Sequence, residues 1–226
     1  FDLGVLYLQD EMQRHFGATA SRVRGRVRVM KGTMSGGTAA SALASFERIA
    51  AEPALAGTMA DPFALTPGFR GPTQPEGESA HYDDVAEAWT GPFVMATINT
   101  RNVHRSNMLM DFPYGKDFIY DEMMLAGPGE KGEAMAKAIV GANSAMGGPG
   151  GPKPGEGPSK EERETGMYDI LFVGLAPDGK QIRASVKGSA SDSSAATALA
   201  ACSGSWRRIL SAARRWSAAV AGMGSV

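Results

Sequence analysis

Apolar positions recur along this chain in two periods, and the periods divide it into helices and strands. Val5, Leu8, Met12 and Phe16 fall at helical spacing, with Gln9, Asp10, Gln13 and Arg14 elsewhere, so a helix is predicted over 3–16 with Gly17 as its stop. Strict alternation follows. Arg22, Arg24, Arg26 and Arg28 interleave with Val23, Val27 and Val29, which predicts a strand with one apolar and one strongly basic face. Ser35-Gly36-Gly37-Thr38 then opens a helix whose inner stripe is Ala39, Leu43, Phe46 and Ile49, closed by Pro53. Residues 53–92, rich in Gly and Pro, form a long irregular excursion of the kind that is often functional. Phe93–Thr100 and Asp117–Leu125 alternate and are predicted strands. Residues 130–146 make a Met- and Ala-rich helix with Met135, Ile139, Ala142 and Met146 on one side. A Gly/Pro linker covers 147–158, with Glu161, Glu162 and Glu164 after it facing solvent. Met167–Leu175 and Gln181–Lys187 are strands joined at Pro177-Asp178-Gly179, a hairpin signal. Five strands interspersed with helices predict an α+β fold with a mainly antiparallel or mixed sheet.

Composition narrows the class. With 43% hydrophobic and 21% charged residues the 226-residue chain is globular, and its net charge of -1 argues against a nucleic-acid partner. No apolar run reaches the ~18 residues of a membrane-spanning helix, and one cysteine allows no internal disulfide. His15 and His81 lack companions at ligand spacing, so no metal is expected. The opening on Phe1, with no initiator Met or signal, reads as the interior of a longer cytoplasmic protein.

Two stretches are candidates for chemistry. Ser35, Gly36, Gly37 and Thr38 at a strand-to-helix junction offer free backbone N–H groups to a carboxylate or phosphate, or else form a plain N-cap with glycines for close packing. The densest polar cluster is Asn99-Thr100-Arg101-Asn102-Val103-His104-Arg105-Ser106-Asn107, placed where a strand leaves the sheet. Asn99, Arg101, His104, Arg105, Ser106 and Asn107 could clamp a carboxylate or a cofactor phosphate, with His104 as a possible general acid; the alternative is a hydrogen-bonded turn with solvated arginines. The arginine row could meet phosphates, but a solvent-facing sheet surface or a surface for another domain fits it better. Tyr114 and Tyr120 near Lys116 suggest a Tyr/Lys acid pair, and Cys202 has no activating neighbour.

Several strings occur together in order: Phe1-Asp2-Leu3-Gly4-Val5, Met34-Ser35-Gly36-Gly37-Thr38, Trp89-Thr90-Gly91-Pro92-Phe93 running into the 99–107 cluster, Tyr114-Gly115, and Pro152-Lys153-Pro154-Gly155-Glu156-Gly157-Pro158-Ser159 with Glu161-Glu162-Arg163. With them residues 1–188 resemble the saccharopine dehydrogenase-like oxidoreductases, in particular their trans-acting enoyl reductase branch. The resemblance implies a Rossmann domain that binds NAD or NADP, followed by an α+β domain that covers the nicotinamide and shapes the substrate pocket. The Gly-rich phosphate turn of the first domain is absent from this sequence. The implied reaction is hydride transfer to the double bond of a lipid-like acyl intermediate, with the protein supplying orientation and charge stabilisation. No catalytic residue is carried over.

The implied organisation has residues 1–16 leading out of a missing nucleotide-binding domain, 17–188 as the substrate-side domain and 189–226 as an atypical tail. Relatives continue after the last strand with something like Gly-Tyr-x-Ser-Thr and Met-Leu-x-Glu-Ser, which a one-base shift of the codons for 195–205 would permit here. Roughly 189–214 is therefore expected to be frame-shifted, and at best a weak, loosely docked helix. The leading expectation is the substrate-side part of a nicotinamide-dependent reductase, cytoplasmic and with peripheral membrane contact allowed. The alternatives are a non-catalytic interaction or lipid-associated protein on the same fold and, last, a nucleic-acid binder.

Overall fold

The computed structural model describes residues 1–32, 36–145 and 157–189, apart from the side chains of 39 and 143–145. Six strands among these residues, β1 (Arg22–Lys31), β2 (His81–Asp83), β3 (Ala88–Pro92), β4 (Ile119–Gly127), β5 (Met167–Leu175) and β6 (Gln181–Ser189), make one sheet in the order β2-β3-β4-β1-β5-β6. β1 and β4 run parallel and every other pair is antiparallel, so the fold is α+β with a mixed sheet, as the periodicities predict. The helices are α1 (Asp2–Phe16), α2 (Gly36–Ala51), α3 (Leu55–Ala60), α4 (Ala96–Leu109), α5 (Gly129–Ala145) and α6 (Lys160–Thr165).

The first helix and the last hairpin form as the patterns require. Val5, Leu8 and Met12 of α1 are fully buried against Val23, Tyr120 and Phe172, and against Val103 of α4. Gly17 ends the helix in the left-handed region (φ 68°), with its N–H on the Gln13 carbonyl. Gln9, which falls outside the apolar spacing of this helix, is buried as well. Its amide donates to the Ala20 carbonyl at 2.9 Å and accepts from the Ala20 N–H at 2.7 Å, so burial leaves neither polar atom unpaired. β5 and β6 pair over their full lengths, closed by the turn at 176–180.

The second predicted strand is not one. Residues 96–109 are helical, and the strand of this region is the shorter β3, which stops at Pro92. Phe93, Met95 and Thr97 mimic a period of two, but Asn99, Val103 and Asn107 continue a period near four over a longer stretch. The excursion at 53–92 is also less irregular than its composition suggests, since it holds α3, β2 and β3. α6 is a further element missed: Ser159 and Glu162 form a capping box, which turns glutamates read as plain solvent-side residues into a helix start.

Two helices form with their faces misassigned. Leu43 and Phe46 of α2, expected inward, are 52% and 56% exposed. On α5 the inward residues are Gly132, Ala136 and Ile139, while Met135 and Ala142 are exposed and Met146 lies outside the described residues. Close approach explains α5: Gly91 on β3 has no Cβ, and one there would meet Ile139 at 2.9 Å and the Ala136 carbonyl at 3.1 Å. Small residues carry that contact, and hydrophobicity does not mark them. The Ser35 cap, most of the 147–158 linker and the expected frame-shifted tail lie outside the described residues.

Candidate active-site cavity

The alternation in β1 sends Val23, Gly25 and Val27 to the helix-covered face and the arginines to the other. The middle of that second face is not open to solvent. The chain after β2 crosses over it, from Asp83 on Arg26 (2.6 Å) and Arg24 (2.8 Å) to the Val85 carbonyl on Arg183 of β6 (2.6 Å). Arg26 is 1% exposed and also pairs with Asp121 on β4 at 2.7 Å; Arg28 pairs with Asp169 at 2.7 Å. The row is thus an ion-pair layer, buried at Arg26 and largely at Arg24 and partly exposed at Arg22 and Arg28, which corrects the expected solvent face at its centre. A bulge between Val27 and Val29 ends the alternation, and Val29 and Met30 beyond it are exposed. Burial opposes ionisation of Asp83, but the Arg26 charge and the Ala86 N–H outweigh it and hold this carboxyl at about 2.

On the opposite face Glu122, the next residue along β4 after Asp121, is equally deep at 1% exposed. It meets no cation side chain. Tyr120 donates its hydroxyl to one carboxyl oxygen at 2.6 Å and Asn99 of α4 donates its amide to the other at 2.8 Å. Room for this group comes from Gly25, which pairs with Glu122 in register: a Cβ there would lie 3.1 Å from the Tyr120 hydroxyl and 3.2 Å from Glu122 Cγ. Burial raises Glu122 to about 8, only partly offset by the hydrogen bonds from Tyr120 and Asn99. At neutral pH it is a carboxylic acid. Tyr120, fully buried beside it, is raised well above the ordinary tyrosine range, first by burial and then by Glu122, and stays a donor.

Glu122 lies on the wall of a cavity of about 1050 Å³. Apolar side chains from several elements contribute to it, among them Ile49 of α2, Met59 of α3, Phe63, Phe93 and Val140 of α5. Thr97 and Thr100 of α4 line the same space. Its lining contains one cation, Arg70, already paired with Asp61 at 3.0 Å, against four acidic residues, Glu76, Glu78, Asp121 and Glu122.

The sequence of this chain has relatives among named proteins. It is 36% identical over 168 residues to a Mycobacterium tuberculosis protein provisionally named a trans-acting enoyl reductase, covering 64% of this chain and 40% of the relative. Trans-acting enoyl reductases of Mycobacterium bovis and Mycobacterium ulcerans are 30% and 34% identical over 175 and 158 residues, covering 67% and 59% of this chain and 42% and 38% of those proteins. Its homologues are enoyl reductases by name. They support an enoyl reductase-like function, although the chain spans only about two fifths of the length of the curated relatives it matches. No family profile matches the sequence, and no solved structure matches it.

An enoyl reductase implies a nicotinamide cofactor, and the cavity does not fit one. A diphosphate needs cations or a cluster of free N–H donors, whereas the lining brings acidic residues, Glu76, Glu78 and Glu122, and a single, already paired arginine. The walls suit an uncharged acyl group. Among the described residues no group of three or more His, Cys, Asp or Glu could hold a metal, and no helix is long and apolar enough to cross a membrane.

The sequence candidates scatter. The 99–107 cluster lies within α4, not at a strand exit, so its members point to different sides. Asn99 reaches Glu122 at the cavity. Arg101 is 9% exposed, its Nε donating to the Thr97 carbonyl and its Nη1 lying 3.8 Å from Met59 Sδ. His104 is buried among aromatic rings, 4.7 Å from Phe63 and 5.9 Å from Phe118, with Nε2 unpartnered; burial lowers it to about 4, so it is neutral. Arg105 is exposed. Ser106 donates to Asp2 of α1 at 2.7 Å. Asn107 organises the turn after α4, donating to the Gly115 carbonyl and accepting from the Tyr114 N–H, around Asp111 and Phe112 with φ of 63° and 56°. Gly36 is buried, and Gly37 and Thr38 are exposed at the start of α2, whereas the cavity receives Ile49 from near its other end; Ser35 lies outside the described residues. The Tyr/Lys pairing is corrected too: Lys116 sits 5.2 Å over the Phe112 ring, and the partner of Tyr120 is Glu122.

Glu122 escaped the sequence reading, yet a signal existed. Phe118, Tyr120, Glu122 and Met124 share one face of an alternating strand, and a glutamate in an apolar row is either misplaced or chemically used.

Proposed function

We propose that this chain is the substrate-side part of a nicotinamide-dependent enoyl reductase, and that its cavity receives a lipid-like acyl group. The observation that carries the reading is a large cavity of mixed apolar and polar walls with a neutral carboxylic acid on one of them, in a chain whose homologues bear that name. A Rossmann domain elsewhere in the complete protein would hold NAD or NADP, since the cavity itself offers no phosphate site. The nucleotide, when bound there, supplies the hydride. The described residues shape the acyl site, and they hold a proton at Glu122.

The test pairs two titrations. Residues 1–226 alone are expected to bind a medium-chain acyl thioester and to show no micromolar affinity for NADPH. The complete protein is expected to bind both and to oxidise NADPH when given an enoyl thioester. Tight NADPH binding by residues 1–226 would overturn the division of labour, and a complete protein inert toward enoyl thioesters would overturn the activity.

A further inference from the structure

We propose that Glu122 is the proton-transfer residue of the cavity: it gives its carboxyl proton to the carbon next to the carbonyl of a bound acyl thioester, and in reverse takes that proton back. The substrate class rests on the enoyl reductase reading; the residue and the step go beyond it.

Geometry sets Glu122 apart from the other carboxyls of the cavity. It is 1% exposed and fixed by two neutral donors on separate elements, Tyr120 at 2.6 Å and Asn99 at 2.8 Å. Asp121 is turned to the opposite face and paired with Arg26, while Glu76 and Glu78 belong to the segment before β2. The side-chain charge acting on Glu122 from α1 is Asp2, which favours the protonated form. Gly25 of β1 and Val140 of α5 bring none, and Arg70 is paired with Asp61. Burial dominates, so the resting group is the acid up to about pH 8.

The step balances with no added reagent. An enolate left at the acyl thioester donates its electron pair to the Glu122 proton; the new C–H bond forms, the O–H bond breaks and the carbonyl is restored. The negative charge moves to the Glu122 carboxylate, where the Tyr120 hydroxyl and the Asn99 amide already donate to it. Water entering the emptied cavity returns a proton. In reverse, the Glu122 carboxylate removes the proton and the C–H electrons pass to the thioester oxygen, for which Thr97 and Thr100 offer hydroxyl donors. That reverse half needs no hydride, so it can be read with no nucleotide present.

The complete protein is therefore incubated in D2O, without nucleotide, with the N-acetylcysteamine thioester of a saturated straight-chain acid, and loss of the proton next to the carbonyl is followed by NMR. The expected result is catalysed exchange that rises with pH through about 8 and falls by ~10²-fold or more in Glu122→Gln, with thioester binding retained. Tyr120→Phe removes a hydrogen bond that favours the ionised form, so exchange falls less than in Glu122→Gln and its midpoint shifts to higher pH, which a merely structural carboxyl would not do. Thioester bound by the wild type without exchange, or exchange at the wild-type rate in Glu122→Gln, overturns the proposal. NADPH-driven reduction of an enoyl thioester in the same preparations separates the two ideas. Reduction at the wild-type rate in Glu122→Gln removes Glu122 and leaves the enoyl reductase reading standing; neither binding nor reduction in the wild type removes both.

Discussion

Asp83 and Glu122 sit on opposite faces of one sheet, each 1% exposed, and the surroundings push them in opposite directions. Both lose water, which by itself disfavours the ionised form. Asp83 meets two guanidinium groups and the N–H groups of Val85 and Ala86, and is held at about 2. Glu122 meets a phenol and an amide, and is raised to about 8. Depth does not decide what a buried carboxyl is for. Its partners do: one face of the sheet spends its carboxylates on holding arginines, and the other keeps a proton beside a cavity.

The sharpest way to break this contrast is to remove the cation. Arg26→Met leaves Asp83 and Asp121 buried without their shared partner and is expected to destabilise the fold by about 3–5 kcal/mol in urea unfolding. A loss below 1 kcal/mol would mean that the charged layer is better solvated than its 1% exposure implies.

His104 supplies an intermediate case, a buried group with no charged partner at all. Its folded value of about 4 lies below the ordinary 6.5, so its contribution to stability is complete above about pH 6.5 and is lost as pH falls through about 4. The wild type should lose up to about 3 kcal/mol over that window relative to His104→Phe, measured by denaturant unfolding at successive pH values. Parallel pH curves for the two proteins would show that the imidazole protonates freely in the fold.

Legibility in the sequence followed the completeness of each pattern. α1 and the β5–β6 hairpin carry full periods and end signals, and both form where expected. α4 was read as a strand because eight residues satisfied both periods, and the misreading carried the polar cluster to a strand exit that does not exist. The arginine row looked solvent-facing because its counter-charge, Asp83, lies 59 residues further along from Arg24. The inner face of α5 is written in Gly132 and Ala136, which no hydrophobic stripe reveals. At the cavity, Asn99 was found and Glu122 was not. A polar cluster draws attention by density, whereas a single acid in an apolar row shows only by being out of place.

The smallest expected effect marks the edge of the charged layer. Arg28 pairs with Asp169 at 2.7 Å, but its side chain is 34% exposed, so water already screens the pair. Arg28→Ala should cost less than about 1 kcal/mol. A loss as large as that of Arg26→Met would extend the buried layer to the sheet edge and blunt the contrast between the two faces.

The most direct test is to titrate the two carboxyls in one sample, by carbon NMR of the protein labelled at its Asp and Glu carboxyl groups, with Glu122→Gln and Asp83→Asn to assign the signals. The account predicts a Glu122 signal that is protonated at pH 6 and titrates near 8, beside an Asp83 signal that stays ionised down to about 2. A Glu122 signal already ionised at pH 6 would contradict it, and with it the proton held at the cavity wall.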